Sequence, residues 1–353
     1  MNSRLNKIYT GDCRSIMRKM AAAGITAQTC ITSPPYYGLR DYGHEGQLGN
    51  EETPEAYIAN MVEVFRCVRD VLADNGTLWI NIGDSYAGSG KGLNGDGSHS
   101  STGTNAKQAT NKGSHSAPAS RSLPDNTKRK DLIGIPWMLA FALRADGWYL
   151  RSDLIWDKGN SMPEPVKDRC VKSHEYVFML TKSPDYLFNS NAIREAAIST
   201  DTRPSALVRA RAFGYDTKEK VVKGSRDNPN ETTRDAVAPD TRQPRSVWRI
   251  NTQPYAGAHF ATMPEALAER CMLAGSNVGD LVLDPFSGSG TTAVVAIKNK
   301  RCYIGCELNP EYKPLWEERI ADAHLYNHTA ITGKPLRVRD QPIDTQKRKS
   351  LFK

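Results

Sequence analysis

A chain of 353 residues with 39% hydrophobic content can bury one large α/β core and a smaller appended region. Its net charge of +8 and pI near 9.0 favour a polyanionic partner. The N-terminal residues 2–7 are polar and the longest apolar run, residues 137–143, is far too short for a membrane span, which excludes a secretory leader and an integral membrane protein as expectations. The seven cysteines are scattered without a Cys-x-x-Cys pair, so the expectation is free thiols in a reducing, cytoplasmic compartment and no metal site.

In chain order, Lys7-Ile8-Tyr9-Thr10 reads as a short strand ending at Gly11-Asp12-Cys13, and a helix follows to about Met20. A carboxylate at that point can cap the helix. The next β-prone stretch, residues 27–31, runs through Thr32 into Ser33-Pro34-Pro35-Tyr36-Tyr37-Gly38. Two prolines force a stiff, extended exit from the sheet. That exit places Ser33, Tyr36 and Tyr37 at a strand's carboxyl end, where open α/β sheets bind ligands. Carbonyls of Pro34 and Pro35 are expected to be free acceptors, and an aromatic face beside a row of acceptors suits a planar base bearing an exocyclic amine. A proline-ended strand with surface tyrosines is the bland alternative.

Thr53-Pro54 opens a helix with a capping hydroxyl and proline in its first turn, and Tyr57, Met61, Phe65, Val68 and Leu72 recur on one face. Asp74-Asn75-Gly76 should end that helix before a buried strand at residues 77–82, and Gly83-Asp84-Ser85 should turn at its end. Residues 87–130 are rich in Gly, Ser, Asn, Thr and Lys and read as a flexible loop, its basic end Lys128-Arg129-Lys130 either solvated or touching phosphate. Order resumes at Ile135-Pro136 with a helix to about Asp146, closed by Gly147, and strands at 149–156 and 175–180. Residues 189–247 carry Arg203, Arg209, Arg211, Arg234, Arg242 and Arg245 with weak periodicity. Thr262-Met263-Pro264-Glu265 has the spacing of a capping box for a helix to about Ala274. Then Asp280-Leu281-Val282-Leu283-Asp284-Pro285-Phe286-Ser287-Gly288-Ser289-Gly290-Thr291-Thr292 reads as buried strand, glycine loop and helix start. A strand at 302–305 ends near Glu307, about where doubly wound folds place the acid that binds ribose hydroxyls. Asn309-Pro310 begins a last helix, and the tail from residue 333 is basic.

Together, Ser33-Pro34-Pro35-Tyr36 and Asp284-Pro285-Phe286-Ser287-Gly288-Ser289-Gly290-Thr291 resemble the amino-methyltransferases of DNA, in which the first motif holds the target amine and the second S-adenosyl-L-methionine. The catalytic motif precedes the cofactor motif, as in the circularly permuted β class. The resemblance implies an α/β, Rossmann-like methyltransferase fold, permuted, with an inserted target-recognition region. In it the strands ending at Asp284 and Glu307 are the first two of the sheet, and those ending at Asp12 and Ser33 the third and fourth. It assigns catalysis to Ser33, Pro34, Pro35 and Tyr36. It assigns cofactor contacts to Asp284, Phe286, Ser287, Gly288, Gly290, Thr291, Glu307, Asp12, Cys13, Phe260 and Pro264. Near Phe260, His259 is either a general base or a cofactor-adjacent structural residue.

The organisation expected is a catalytic half over residues 1–86 and 131–188, interrupted by the 87–130 loop. Residues 189–250 are the target-recognition region, 251–330 the cofactor half and 331–353 a basic tail. The implied substrate is double-stranded DNA, its base flipped from the stack, with cytosine N4 favoured over adenine N6 because Ser stands at position 33. A homodimer and a cognate restriction nuclease are left open. Cytosine-carbon methylation is not indicated, since no Pro-Cys dipeptide supplies its nucleophile. A nicotinamide oxidoreductase lacks the third glycine of Gly-x-Gly-x-x-Gly, and a P-loop nucleotidase lacks Gly-Lys-(Ser/Thr). A protein-amide methyltransferase and an inactive DNA-binding relative remain as rivals.

Overall fold

The computed structural model describes residues 4–39, 44, 46–87, 127–161, 163–196, 241–253 and 263–332. Its first elements are β1 (Lys7–Thr10), α1 (Cys13–Ala22), β2 (Ala27–Thr32), α2 (Pro54–Val71) and β3 (Leu72–Ile82). They are followed by α3 (Ile135–Ala145), β4 (Tyr149–Asp157), β5 (His174–Thr181), β6 (Glu195–Ala196), β7 (Thr241–Arg242) and β8 (Val247–Arg249). The chain continues through α4 (Glu265–Gly275), β9 (Leu281–Asp284), α5 (Thr291–Lys298), β10 (Cys302–Glu307) and α6 (Lys313–Thr332).

Among the described residues, eight strands form one sheet in the order β1-β10-β9-β2-β3-β5-β4-β8. From β1 to β3 every pairing is parallel, β5 runs antiparallel to both β3 and β4, and β8 closes the edge parallel to β4. The order has the expected permutation written into it: the C-terminal strands β9 and β10 lie inside the N-terminal β1. From β9 the chain winds through α5 to β10, while from β2 it winds through α2 to β3 on the other side. The carboxyl ends of β9 and β2 therefore flank a topological switch point, the crevice in which such sheets hold ligands.

Burial follows the sequence pattern. Tyr57, Met61, Phe65 and Val68 of α2 are fully buried and share one core with Met17 of α1, Leu143 of α3 and Leu78 and Ile80 of β3. Helix α4 packs against β2 and β3. Its terminal Gly275 lies so close to Thr29 Oγ1 that an added Cβ would stand only 2.9 Å away.

Several local expectations change in the folded chain. Helix α2 ends at Val71, before Asp74-Asn75-Gly76, and those three residues bulge within β3, where the pairing with β2 shifts register between Ala27 and Thr29. Thr262 of the expected capping box lies outside the described residues. Pro264 is the N-cap of α4 with no side-chain cap, and Glu265 turns instead to Lys298 (2.6 Å) and Arg319 (3.0 Å), two cations that outbid a backbone amide. The last helix begins with a single 3-10 turn, Pro310–Tyr312, before α6.

The loop expected over 87–130 lies outside the described residues except at its ends, which meet: Ala87 N donates to Asp131 O and Lys130 N to Ala87 O, both at 2.8 Å. Residues 189–245 form a separate compact unit, whose described part holds the antiparallel β6–β7 pair. There Glu195 pairs with Arg242 (3.3 Å) and Arg245 (3.0 Å), so two of the arginines expected to read DNA are bridged internally. Arg203, Arg209, Arg211 and Arg234 lie outside the described residues. Residues 246–250, placed with the recognition region on sequence, belong to the main unit, because Val247–Arg249 completes its sheet as β8.

Candidate active site

Strand β2 delivers Ser33-Pro34-Pro35-Tyr36 to the carboxyl edge, and β9 delivers the glycine loop beside it, since Thr29 and Cys30 pair with Val282 and Leu283. A latch joins the two motifs. Thr32 Oγ1, the residue before Ser33, donates to Asp284 Oδ1 at 2.7 Å, while Asp284 Oδ2 accepts from Thr292 Oγ1 at 2.7 Å and Oδ1 also from Phe286 N at 3.0 Å. Burial raises the Asp284 carboxyl above its ordinary value, and these three donors pull it back. Both carboxylate oxygens thus face protein donors, and Asp284 ties the loop to β2 and to the start of α5.

The acceptor turn is more selective than its sequence implied. Pro35 O accepts from the buried Tyr57 hydroxyl at 2.8 Å, which corrects the expectation of two free proline carbonyls. Pro34 O has no hydrogen-bond partner among the described residues and remains the open acceptor. Tyr37 is a core residue, 5% exposed, with its hydroxyl on Glu52 O at 3.1 Å and its ring 5.7 Å from that of Tyr57. Of these two tyrosines, Tyr36 is the one left beside the open acceptor. One side of its ring lies on Gly83, where an added Cβ would approach Tyr36 Cε2 to 2.7 Å. Its hydroxyl donates to Glu175 Oε2 at 2.6 Å, and the longer Ser33 Oγ–Tyr36 Oη approach is 3.4 Å. Burial first, then the Glu175 charge, push the Tyr36 phenol well above its usual value, so it stays protonated.

Glu175 was not anticipated. Its Oε2 also accepts from Asn81 Nδ2 at 3.0 Å, and its Oε1 pairs with Lys158, whose ammonium lies 4.7 Å from the Trp156 ring centroid. Strands β3, β4 and β5 thus converge on one carboxylate behind the turn. The available signal was a charged residue at the head of the otherwise apolar run at 176–180. Asp84 belongs to the frame: its carboxylate accepts from Gly134 N (3.0 Å) and Ile135 N (3.1 Å) at the start of α3, as a plain capping turn does.

On the cofactor side, Glu307 ends β10 with Oε2 accepting from Gly288 N (2.8 Å) and Oε1 from Asn309 N (2.9 Å). Burial raises its carboxyl above the ordinary value, with the two amides opposing. Gly288 and Gly290 adopt φ of +52° and +79°, conformations that L side chains rarely take, and a Cβ at Gly290 would lie 2.9 Å from Trp316 Cβ. Ser287 is turned inward, its hydroxyl on Asp284 O at 3.1 Å. Ser289 and Thr291 offer their hydroxyls to Arg319 Nη1, at 2.7 and 3.0 Å, and the same guanidinium holds Glu265 at the start of α4 beside Pro264. The hydroxyls of Ser287, Ser289 and Thr291 thus brace the loop from within. Asp12 caps α1 through Ser15 N (3.0 Å) and pairs with Arg14 (2.9 Å); burial opposes its ionisation, but these partners hold its carboxyl below the ordinary value. The Cys13 thiol is pushed up to about 12 by burial. Buried Cys30 and Cys306 are raised as well, so the described site offers no thiolate nucleophile. No cluster of three metal-ligating side chains occurs among the described residues. His259 and Phe260 lie outside them.

A family model described as DNA methylase, of the N6/N4 type, matches residues 27–318. The chain belongs to that family. It is 42% identical over 325 residues to the type II methyltransferase M.SmaI of Serratia marcescens, covering 90% of this chain and 92% of that one. With the type II methyltransferase M.Cfr9I of Citrobacter freundii it shares 41% identity over 314 residues, 89% and 87% of the two chains. Among solved structures, the PvuII DNA methyltransferase (cytosine-N4-specific) superposes with a TM-score of 0.54 at 17% identity, covering 93% of each chain. The putative DNA modification methylase TTHA0409 of Thermus thermophilus, complexed with S-adenosyl-L-methionine, does so with a TM-score of 0.51 at 23% identity, over 90% and 93%. These likenesses show the methyltransferase fold, with its central mixed sheet.

Proposed function

We propose that this protein is a site-specific DNA methyltransferase that moves a methyl group from S-adenosyl-L-methionine to the exocyclic N4 of cytosine in duplex DNA. The observation that carries the reading is the latch: Thr32–Asp284, at 2.7 Å, ties the amine-binding turn to the glycine loop at one switch point. The residues present suit the cofactor. Glu307 is a half-buried carboxylate that accepts two backbone amides and keeps lone pairs for ribose hydroxyls, and Gly288 and Gly290 give the loop the positive-φ turns that bring its backbone round beside that carboxylate. When bound, the cofactor supplies an electrophilic methyl group on a sulfonium sulfur.

The amine is a poor nucleophile because its lone pair is delocalised into the ring. Ser33 Oγ and Pro34 O accept its two hydrogens, drawing the nitrogen toward tetrahedral geometry and aiming the lone pair away from the turn, toward the loop side. Catalysis is then orientation and electrostatics with no covalent enzyme intermediate. Duplex stacking hides the amine, so the base must leave the helix, and Tyr36 stacks on it. Cytosine is favoured over adenine by the Ser form of the motif, as the resemblance implies. Nucleoside mass spectrometry of DNA treated with the enzyme and labelled cofactor tests this: label in N4-methylcytosine is expected, and label in N6-methyladenine alone overturns it.

A further inference from the structure

We infer that Glu175 is a positioning residue that sets the direction of a hydrogen-bond chain, Ser33 to Tyr36 to Glu175, and thereby makes Ser33 an acceptor for the target amine. The inference rests on the reading of Ser33-Pro34-Pro35-Tyr36 as the amine-binding turn. A serine hydroxyl is both donor and acceptor, unlike a carboxylate, so its usefulness at this position depends on where its own hydrogen points. A hydroxyl hydrogen turned toward the substrate nitrogen would repel the amine hydrogens and compete for the lone pair that must attack the methyl group.

The geometry around Tyr36 decides that direction. Glu175 Oε2 lies 2.6 Å from the phenol oxygen and Asn81 Oδ1 at 3.4 Å, and Asn81 turns its amide nitrogen to Glu175 (3.0 Å) and Tyr176 O (3.3 Å). Two acceptors thus face a group with one hydrogen, and the nearer is a carboxylate held in place by Lys158. With its hydrogen committed to Glu175, Tyr36 Oη can only accept on its other side. Ser33 Oγ stands there at 3.4 Å and is oriented to donate. The lone pairs of Ser33 are then left for the amine. A carboxylate at position 33 would need no such arrangement, so Glu175 acts as a remote anion for a neutral hydroxyl.

The test uses the full-length enzyme, unmethylated genomic DNA and tritium-labelled S-adenosyl-L-methionine, comparing wild type with Tyr36→Phe, Glu175→Gln, the double variant and Ser33→Ala. Tyr36→Phe keeps the stacking ring and removes only the hydroxyl, so it reports even if Glu175→Gln folds poorly beside an unpaired Lys158. Tyr36→Phe is expected to lower kcat by about tenfold, the worth of one net hydrogen bond, with KM for DNA, cofactor affinity and melting temperature unchanged, and Glu175→Gln to lower kcat by the same factor in its folded fraction. The double variant should be no slower than the slower single one, because both cut one chain. Wild-type kcat in Tyr36→Phe, or single losses that multiply in the double variant, overturns the inference while a slow Ser33→Ala leaves the turn's role intact. If Ser33→Ala is also fully active, the reading of the turn itself falls.

Discussion

Replacing Thr32 by Val removes one hydroxyl from the latch and almost nothing else. The side chain is fully buried and keeps its size and β-branching, so the change falls on the 2.7 Å hydrogen bond to Asp284. A hydrogen bond to a charged group is worth about 1.5–3 kcal/mol, and burying a methyl in the hydroxyl's place returns about 0.8 kcal/mol. The net loss is about 1–2 kcal/mol, a fall in Tm of roughly 1–3 °C for a chain of this size. The deficit should depend on pH in a defined sense. Burial raises the Asp284 carboxyl above 3.8, so ionising it weakens the fold as pH rises from 3.8 through the raised value, and the penalty is constant above it. Thr32 favours the charged form and limits that penalty. Without it the pKa rises further, so the variant's deficit is largest above the raised value and shrinks on acidification toward 3.8. Thermal denaturation followed by circular dichroism from pH 8 downward measures this, and calorimetric titration of S-adenosyl-L-methionine should show weaker binding as the loop loses its tie to β2. A variant that melts with wild type at pH 8, or a deficit that grows on acidification, refutes the reasoning.

Glu307→Ala should weaken S-adenosyl-L-methionine by about tenfold to a hundredfold in calorimetry, since it removes the carboxylate and frees the Gly288 amide; unchanged affinity moves the ribose site elsewhere. Gly83→Ala should push the Tyr36 ring off its seat, because the new Cβ would lie 2.7 Å from Cε2. Single-turnover methylation should fall by about tenfold or more with cofactor affinity preserved, and a wild-type rate would show that the ring position does not matter.

Strand and helix placement was readable where local chemistry and burial agree. Thr53 caps α2 as its sequence indicates, with Ala56 N donating to Thr53 Oγ1 at 3.1 Å, and the apolar stripe from Tyr57 to Val68 is buried. Where local chemistry met a stronger distant partner, the sequence pattern misled. Glu265 has the spacing of a capping box but meets Lys298 and Arg319, which are 33 and 54 residues away. Pro35 O looked free because proline lacks an amide, yet Tyr57, 22 residues on, fills it.

The sequence alone determined the two motifs, their reversed order and the α/β class, because proline pairs, glycine loops and apolar strands alternating with helices report on backbone geometry that the chain adopts locally. Which side chains work on the substrate and which hold the frame was decided only by the fold. Tyr37 lies in the motif beside Tyr36, yet it is buried in the core with its hydroxyl on Glu52 O. Glu175 carries no motif, and it reaches Tyr36, 139 residues away, because β5 pairs with β3 and brings its carboxylate under the turn. A hydrogen bond depends on distance in space, and sequence separation across a mixed sheet says little about that.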